Sequence, residues 1–208
     1  MKLKCSQLQF SYTSEKLIDI SNFEMQASNS IQWIRGYSGA GKSTFLSLLA
    51  GLKKSQNGKV KWNDFEMNSA TETERHQFRF QNISFVHQEN IMINHWTVEQ
   101  NLSLVSDDFD LLKECLEAFN FTKEILKKIT QDLSGGERQR INLIQAILKK
   151  PKIALLDEPT SHLDNRNADI ALNLIEKYFK QTLVIIVSHD NRLENRGFKQ
   201  IDFESINL

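Results

Sequence analysis

Polar and apolar residues alternate in the first part of the chain with the two-residue period of β-strands. The alternation covers residues 3–12 and 20–27, and a short apolar run at 31–36 predicts a third strand. The polar residues at 28–30 predict a turn between the second and third strands. The chain is therefore expected to open with β-structure.

Residues 43–52 are apolar nearly all round, a pattern that predicts a buried helix with Gly51 as its stop. The Asn-Gly pair at 57–58 predicts a turn before another short strand. A polar helical stretch at about 71–80 then leads into an apolar strand at 83–86. Helices thus begin to alternate with strands.

Helical patterns dominate from about residue 90 to 133, without a convincing strand. Beyond this stretch the two element types alternate again, as helix 137–149, strand 153–156, helix 166–179 and strand 182–187. The strands are continuous apolar runs, which is typical of parallel strands covered on both faces. The pattern predicts an α/β fold with a largely parallel sheet and a helical subdomain.

The composition narrows the possible partners. The chain contains 26 Lys and Arg against 26 Asp and Glu, so no net field attracts nucleic acid, and no nucleic-acid partner is expected. The two cysteines, Cys5 and Cys115, lack metal-ligand spacing and are predicted to be reduced cytosolic thiols. Neither a signal peptide nor an apolar run of the about 20 residues that span a bilayer is visible.

A phosphate-binding loop is predicted at 36–44, where GYSGAGKST fits G-x-x-x-x-G-K-[ST] between a strand and a helix. Glycines let backbone N–H groups curl around phosphate oxygens, and the helix N-terminus adds positive potential. Lys42 is predicted to neutralise the β- and γ-phosphates, and the Ser43 hydroxyl to bind Mg²⁺. The alternative, a plain glycine turn before a helix, is disfavoured by this context.

Polar residues follow two of the buried strands, at the sheet edge where ligands of open α/β sheets bind. Asp157 can reach a Mg²⁺ ion, and Glu158 can hold and polarise the water that attacks a γ-phosphate. His189 is predicted to hydrogen-bond the γ-phosphate and the water rather than a metal. The alternative for each is a structural polar residue at the end of a strand.

Two further side chains are candidates through their position. Gln88 follows the strand 83–86 and offers an amide that can coordinate Mg²⁺ or position the water. Tyr12 follows the first strand and can stack on an adenine ring. A loop glutamine is usually only solvated and an aromatic residue usually packs, so both predictions depend on the neighbouring motifs.

The stretch LSGGERQR at 133–140 places two glycines in the first turn of a predicted helix. Ser134 and Glu137 form an S-x-x-E capping box, which predicts that the helix begins here. Each glycine costs about 1 kcal/mol relative to Ala inside a helix. Since a cap needs no glycine pair, something is expected to approach this helix end closely.

Together these residues resemble the ATP-binding subunit of ABC transporters, over nearly the whole chain. The matching motifs are Tyr12 as the A-loop, 36–44 as Walker A, Gln88 as the Q-loop, 133–140 as the ABC signature, 153–158 as Walker B, 161–164 as the D-loop and His189 as the H-loop. Walker A is shared by many NTPases, whereas the signature in this order is highly specific. The resemblance implies a P-loop NTPase core with a largely parallel sheet, an N-terminal antiparallel β subdomain and a helical ABC-specific subdomain.

The resemblance also supplies a reason for the glycine pair, because in this family the signature of one subunit faces the ATP held by another. It implies an ATP-dependent dimer of two such subunits, with ATP and Mg²⁺ as cofactors. It implies catalytic roles for Glu158, His189, Gln88 and Lys42, and metal ligation by Ser43, Gln88 and Asp157. The residues implied to contact the nucleotide are Tyr12, Gly36, Ser38, Gly39, Ala40, Gly41, Lys42, Ser43, Thr44, Ser134, Gly135, Gly136, Glu137 and Asp164.

The family pattern treats 1–208 as a single domain with three parts. These are 1–89 with the β subdomain and Walker A core, 90–136 with the helical subdomain and signature, and 137–208 with Walker B, the D-loop and the H-loop. The D-loop departs from the pattern, because His162 stands where small residues are common.

The implied function is ATP hydrolysis that drives a separate integral membrane permease. The subunit would then be cytoplasmic and peripheral on the membrane, because it would bind to that permease. The binding surface would be the Gln88 region and residues 90–130. The segment 95–104 looks similar to subunits of lipoprotein-release, macrolide-export and peptide-resistance exporters. One alternative is a soluble ABC ATPase of iron–sulfur cluster assembly, and another is a non-catalytic nucleotide sensor, which the presence of Glu158 and His189 disfavours.

Overall fold

The computed structural model describes residues 1–12, 17–26, 31–87 and 92–207. Gln88 and the turn predicted at 28–30 lie outside the described residues. The chain forms two compact units. The first comprises Met1–Phe85, Lys152–Glu158 and Gln181–Leu208, and the second comprises Val86–Pro151 and Pro159–Lys180.

An antiparallel sheet at the start of the first unit confirms that the chain opens with β-structure. Its strands are β1 (Lys2–Phe10), β2 (Ile18–Gln26), β4 (Asn57–Trp62) and β5 (Phe65–Glu66), in the order β2-β1-β4-β5. Strand β1 pairs with both β2 and β4. The alternation of its apolar residues buries Leu3 and Cys5, and Leu8 is buried beyond an irregularity at Gln7, whose φ is +49°.

The Asn-Gly pair does not form the turn predicted before β4, because both residues lie in the strand itself. Asn57 pairs with Gln9, and the register of β1 against β4 shifts between Ser6 and Gln9. At this bulge Gly58 has a φ of +80°, and a Cβ there would lie 2.1 Å from the carbonyl oxygen of Gln7. The glycine is thus required for a close backbone approach inside the sheet rather than for a hairpin turn.

The second sheet of this unit is the predicted parallel sheet. Its strands are β3 (Gln32–Arg35), β6 (Ile83–Val86), β7 (Ile153–Asp157), β8 (Leu183–Val187) and β9 (Lys199–Asp202), in the order β6-β7-β8-β3-β9. The pairings of β7 with β8, β8 with β3, and β3 with β9 are all parallel. Strand β9 was not predicted, since three of its four residues are exposed and it has no apolar run.

The helices α1 (Lys42–Leu49), α2 (Glu72–Asn82) and α7 (Phe203–Ile206) complete the first unit. Helix α1 is buried along most of its length, as predicted, and the Phe45 ring lies 5.7 Å from the rings of both Phe23 and Phe203. The buried indole of Trp62 donates a hydrogen bond to the carbonyl oxygen of Leu49, 2.8 Å away. Aromatic packing therefore fixes the helix that follows the phosphate loop.

The second unit is helical, with α3 (Val98–Ser103), α4 (Phe109–Ala118), α5 (Gly135–Leu148) and α6 (Asn165–Tyr178). The helical pattern at 123–129 forms only a 3₁₀ turn, Lys123–Lys127, which is too short for α-helical hydrogen bonding to build up.

Among the described helices none is both long and apolar enough to cross a bilayer. Cys5 and Cys115 are free and buried, and burial raises the pKa of Cys115 to about 12. The α/β class with its two sheets is confirmed.

Candidate nucleotide-binding site

The phosphate loop joins the carboxyl end of β3 to the first turn of α1. Within it the buried ammonium of Lys42 donates to the carbonyl oxygens of Gly36, at 2.8 Å, and Tyr37, at 2.7 Å. An ammonium has three N–H donors, so a phosphate oxygen can accept the third. The Lys42 ammonium is therefore fixed against its own loop, with one N–H available to bind an anion.

Two glycines shape the inner surface of this loop. Gly39 has a φ of +86°, and a Cβ there would meet nothing within 4 Å, so its backbone faces open space. Gly41, with a φ of +95°, precedes α1, and a Cβ there would lie 3.0 Å from side-chain atoms of Leu17 and Ile18. The left-handed backbone thus leaves room for a phosphate on one side and is packed on the other.

Tyr12 lies beside the start of α1, where its hydroxyl is 3.3 Å from the Thr44 hydroxyl. Its ring packs edge-on against Phe10 and carries the Lys53 ammonium 4.9 Å from its centroid. The hydrogen bond with Thr44, followed by the contact with Lys53, lowers the pKa of Tyr12. The side chain is 61% exposed, so the ring remains accessible to a base.

The carboxyl ends of β7 and β8 meet, as predicted, because the two strands are parallel neighbours. The buried Glu158 carboxylate accepts hydrogen bonds from the Ser188 hydroxyl at 2.7 Å, the His189 backbone N–H at 3.2 Å and His189 Nδ1 at 2.7 Å. The His189 side chain is 75% exposed while that of Glu158 is only 10% exposed. The pair therefore combines a fixed carboxylate with an accessible imidazole.

The backbone of Glu158 is held in an unusual conformation. Its φ is +49°, a left-handed value that non-glycine residues rarely adopt, and its N–H donates to the Val187 carbonyl oxygen at 2.8 Å. Such a conformation costs about 1–3 kcal/mol and persists where surrounding structure imposes it. Here it turns the carboxylate toward the end of β8.

Asp157 is fully buried at the end of β7, and α1 packs against that strand. Ser43 lies in the first turn of α1, so Asp157 and Ser43, two of the three residues predicted as Mg²⁺ ligands, belong to elements in contact. No three His, Cys, Asp or Glu side chains cluster as a metal cage in the part of the chain that the structure describes. Nucleotide-bound Mg²⁺ suits such a site, because it needs only one or two protein oxygens besides phosphates and water.

The signature stretch forms the predicted cap of α5 in the second unit. The Ser134 hydroxyl accepts from the Glu137 N–H at 3.2 Å, and the Glu137 carboxylate accepts from the Ser134 N–H at 2.9 Å. Glu137 also pairs with the Lys128 ammonium at 2.9 Å. The bond with Lys128, followed by that from Ser134, lowers the pKa of Glu137 from 4.5 to about 2.

The contribution of Glu137 to the free energy of unfolding should therefore decrease at acid pH. The lowered pKa means that the bonds of the carboxylate are fully present above pH 4.5 and are lost progressively as the pH falls toward 2. We expect the difference in unfolding free energy between wild type and Glu137→Gln, from urea unfolding, to shrink between pH 6 and pH 3. A difference that stays constant over this range would contradict the assignment, and Glu117→Gln, on the exposed side of α4, is the control.

The glycine pair is approached within the same unit by the D-loop. A Cβ at Gly136 would lie 3.1 Å from the His162 carbonyl oxygen, and a Cβ at Gly135 would lie 3.8 Å from the His162 ring. Arg140 bridges the Gly136 carbonyl oxygen, at 3.1 Å, and the Asn167 side chain, at 3.3 Å. The departure from the family pattern at His162 thus sits directly against the signature.

Asp164 caps α6 rather than standing alone in the D-loop. Its carboxylate accepts from the Asn167 N–H at 2.8 Å, and this bond lowers the pKa of Asp164.

Sequence reasoning missed the Arg140–Asn167 link and Ser188, although Ser188 directly precedes His189. It also missed Glu204, whose carboxylate accepts the Tyr37 N–H at 3.0 Å and which no local motif marks.

The predicted residues are thus distributed over the two units. The first unit holds the phosphate loop with Tyr12, and Asp157, Glu158 and His189 at the carboxyl ends of adjacent strands. The second unit holds the signature residues 134–137 and Asp164. Gln88 lies outside the described residues.

Known proteins are similar to this chain in sequence and in fold. A family model for ABC transporters matches residues 18–161. Two relatives named lipoprotein-releasing system ATP-binding protein LolD match along most of their length. The one from Colwellia psychrerythraea is 32% identical over 96% of this chain and 82% of the relative, and the one from Buchnera aphidicola is 34% identical over 92% and 89%.

Solved structures agree with the fold. A dimeric ATP-binding cassette in a post-hydrolysis state, bound to ADP and Pi, has a TM-score of 0.83 at 25% identity and covers 96% of this chain and 93% of that one. An ABC transporter ATP-binding protein from Pyrococcus furiosus, at 20% identity, shares the fold with a TM-score of 0.81 and full coverage of both chains. This fold, the phosphate loop and the signature lead to one conclusion: the chain belongs to the ABC transporter family, as an ATP-binding subunit.

Proposed function

We propose that this subunit hydrolyses ATP with Mg²⁺ and drives a lipoprotein-type exporter through a separate membrane permease. The observation that carries the hydrolytic part is the Glu158 carboxylate, buried and held by three donors beside the exposed imidazole of His189. A nucleotide sensor needs no such pair. A carboxylate held in this way, at the same edge of the parallel sheet as the phosphate loop, is suited to orient a water molecule.

In the proposed reaction the loop and its Lys42 ammonium bind the β- and γ-phosphates and neutralise developing charge. Glu158 accepts a proton from the attacking water and aligns it with the γ-phosphate. His189, with a proton on both ring nitrogens, donates through Nε2–H to the γ-phosphate while Nδ1–H stays on Glu158. Mg²⁺ held by Ser43, Asp157 and Gln88 would supply further charge stabilisation to the phosphates.

The second half of each site would come from another copy of the subunit. The α5 N-terminus at Ser134–Gly136 favours an anion, and the glycines admit a γ-phosphate closely. Loss of that phosphate would remove the bridge and loosen the dimer. The solved dimeric cassette among the structural relatives supports this arrangement.

Docking to a permease is supported by apolar side chains at the start of the second unit. Ile93, Trp96, Leu104 and Phe109 are all exposed there. They fall within the predicted docking region of 90–130, on a subunit that would be peripheral on the cytoplasmic face of the membrane. The lipoprotein-releasing relatives favour this proposal over iron–sulfur cluster assembly.

The wild-type protein tests the proposal directly. We expect ATP-dependent phosphate release that EDTA abolishes, and co-purification from solubilised membranes with a protein that spans the bilayer several times. Absence of phosphate release in the co-purified complex would contradict the hydrolytic role. Recovery with a soluble iron–sulfur assembly complex instead would overturn the transport role.

A further inference from the structure

The carboxyl-terminal segment of the described chain lies against the phosphate loop. Strand β9 pairs in parallel with β3, and Asp202 is opposite Arg35, the last residue before the loop. The chain then turns into α7, which begins at Phe203. This places residues 203–207 beside the point where the loop leaves the sheet.

Glu204 makes a specific contact with the first peptide of the loop. Its Oε1 accepts the Tyr37 N–H at 3.0 Å. A Cβ at Gly36 would lie 2.9 Å from the same oxygen and 3.0 Å from Cβ of Phe203. The glycine is therefore needed at position 36 to let the carboxylate reach the backbone.

The same peptide is also held on its other side. The Gly36 carbonyl oxygen accepts from the Lys42 ammonium at 2.8 Å, while the adjoining Tyr37 N–H donates to Glu204. One peptide group thus lies between a cation and an anion, and both hydrogen bonds are charge-assisted. This fixes its plane and, through it, the position of the lysine.

Two anchors keep Glu204 in place. The Phe203 ring is fully buried and packs 5.7 Å from Phe45 of α1. The Asn207 side chain accepts from the Asp19 N–H at 2.7 Å and donates to the Leu17 carbonyl oxygen at 3.0 Å. Since the Leu17 side chain packs against Gly41, the segment supports both ends of the loop.

We propose that Glu204 is a positioning residue for nucleotide binding, which acts on the loop through the peptide between Gly36 and Tyr37. The proposal deepens the proposed function and rests on its phosphate loop. Glu204 does not contact the reacting atoms, so its effect falls on nucleotide affinity rather than on the chemical step. The negative charge of Glu204 is unfavourable to nearby phosphates, so the loss of that charge alone would strengthen nucleotide binding. Weaker binding after removal of the side chain is expected only if Glu204 positions the loop.

Substitution of Glu204 separates these effects. Glu204→Ala is expected to raise the Kd for both ATP and ADP about 10-fold, the loss typical of one hydrogen bond to a charged group. KM for ATP should rise in parallel, with kcat changed less than about 2-fold. Glu204→Gln keeps an acceptor oxygen for the Tyr37 N–H and is expected to restore near wild-type affinity. Ser205→Ala, in the same turn, removes a hydroxyl that donates to the Asp202 carbonyl oxygen and is the matched control.

A second pair of variants tests the contact from the loop side. Gly36→Ala should displace Glu204 and weaken nucleotide binding by a similar factor. If both act through one contact, the double variant Gly36→Ala/Glu204→Ala should bind no more weakly than Gly36→Ala alone. Multiplicative losses would overturn the proposal. Urea unfolding without nucleotide shows whether each variant is folded.

Equilibrium binding of ATP and ADP to the wild type distinguishes failure of the proposed function from failure of the positioning role of Glu204. If the wild type binds no nucleotide, the proposed function itself fails. If the wild type binds but Glu204→Ala binds equally well, or both Glu204 variants bind more tightly, only the positioning role is overturned.

Discussion

Replacement of Glu158 with Gln is expected to lower the rate of phosphate release by about 10²–10⁴-fold, the usual contribution of a general base. The amide is the same size as the carboxylate. Its oxygen can accept from the His189 N–H and Nδ1, and its NH₂ can donate to the Ser188 hydroxyl, so the local geometry should survive. ATP should therefore still bind and still produce a dimer, which size-exclusion chromatography with light scattering would detect.

The matched control is Ser188→Ala, which removes one donor to the carboxylate and leaves its charge. We expect a loss of about 10-fold or less in phosphate release, in line with one hydrogen bond to a charged group. Unchanged turnover in Glu158→Gln would refute the assigned role of Glu158. A variant that loses ATP-dependent dimerisation as well would point to a structural role instead.

Substitution of the signature glycines should weaken the ATP-dependent dimer without preventing ATP binding to the monomer. A side chain at Gly135 or Gly136 would obstruct the close approach of a γ-phosphate held by another subunit. We expect the dimer dissociation constant with ATP to rise at least about 10-fold, since close hydrogen bonds to a charged phosphate are lost. Sedimentation at several protein concentrations measures this constant in the Glu158→Gln background, where ATP persists.

The two glycines differ within the monomer, and this difference is the internal control. Ala at 135 meets the His162 ring at an ordinary 3.8 Å and should stabilise α5 by up to about 1 kcal/mol. Ala at 136 meets the His162 carbonyl oxygen at 3.1 Å, so the gain should be offset by a displaced D-loop. A dimer lost only in Gly136→Ala would attribute the effect to the D-loop rather than to the phosphate.

Local patterns predicted much of the fold and of where the candidate site residues lie, because the relevant signals are contiguous. The capping box at Ser134 and Glu137 formed as its spacing requires, and the apolar runs of β7 and β8 became adjacent parallel strands. Parallel order alone then brings Glu158 and His189 to one edge. A strand period and a helix cap depend only on neighbours in sequence, so they can be read without the fold.

The missed features depend on contacts between distant segments. Gly58 matched a turn signal, yet its conformation is set by the close approach of Gln7, which lies 51 residues earlier in the chain. Strand β9 has little apolar character because it is an edge strand, and Glu204 is placed only by its pairing with β3. No local pattern could have joined Glu204 to Tyr37.

The unequal exposure of Glu158 and His189 decides which of the two side chains can move during the proposed catalytic cycle. The carboxylate is fastened to the end of β8, and the carbonyl oxygen of Ser188 accepts the buried Trp33 indole N–H at 2.9 Å. Only the imidazole extends into solvent, and exposed side chains change rotamer within picoseconds to nanoseconds. In the proposed reaction, resetting this pair between turnovers therefore needs no more than torsion about two bonds of one histidine, far faster than any opening of the proposed dimer.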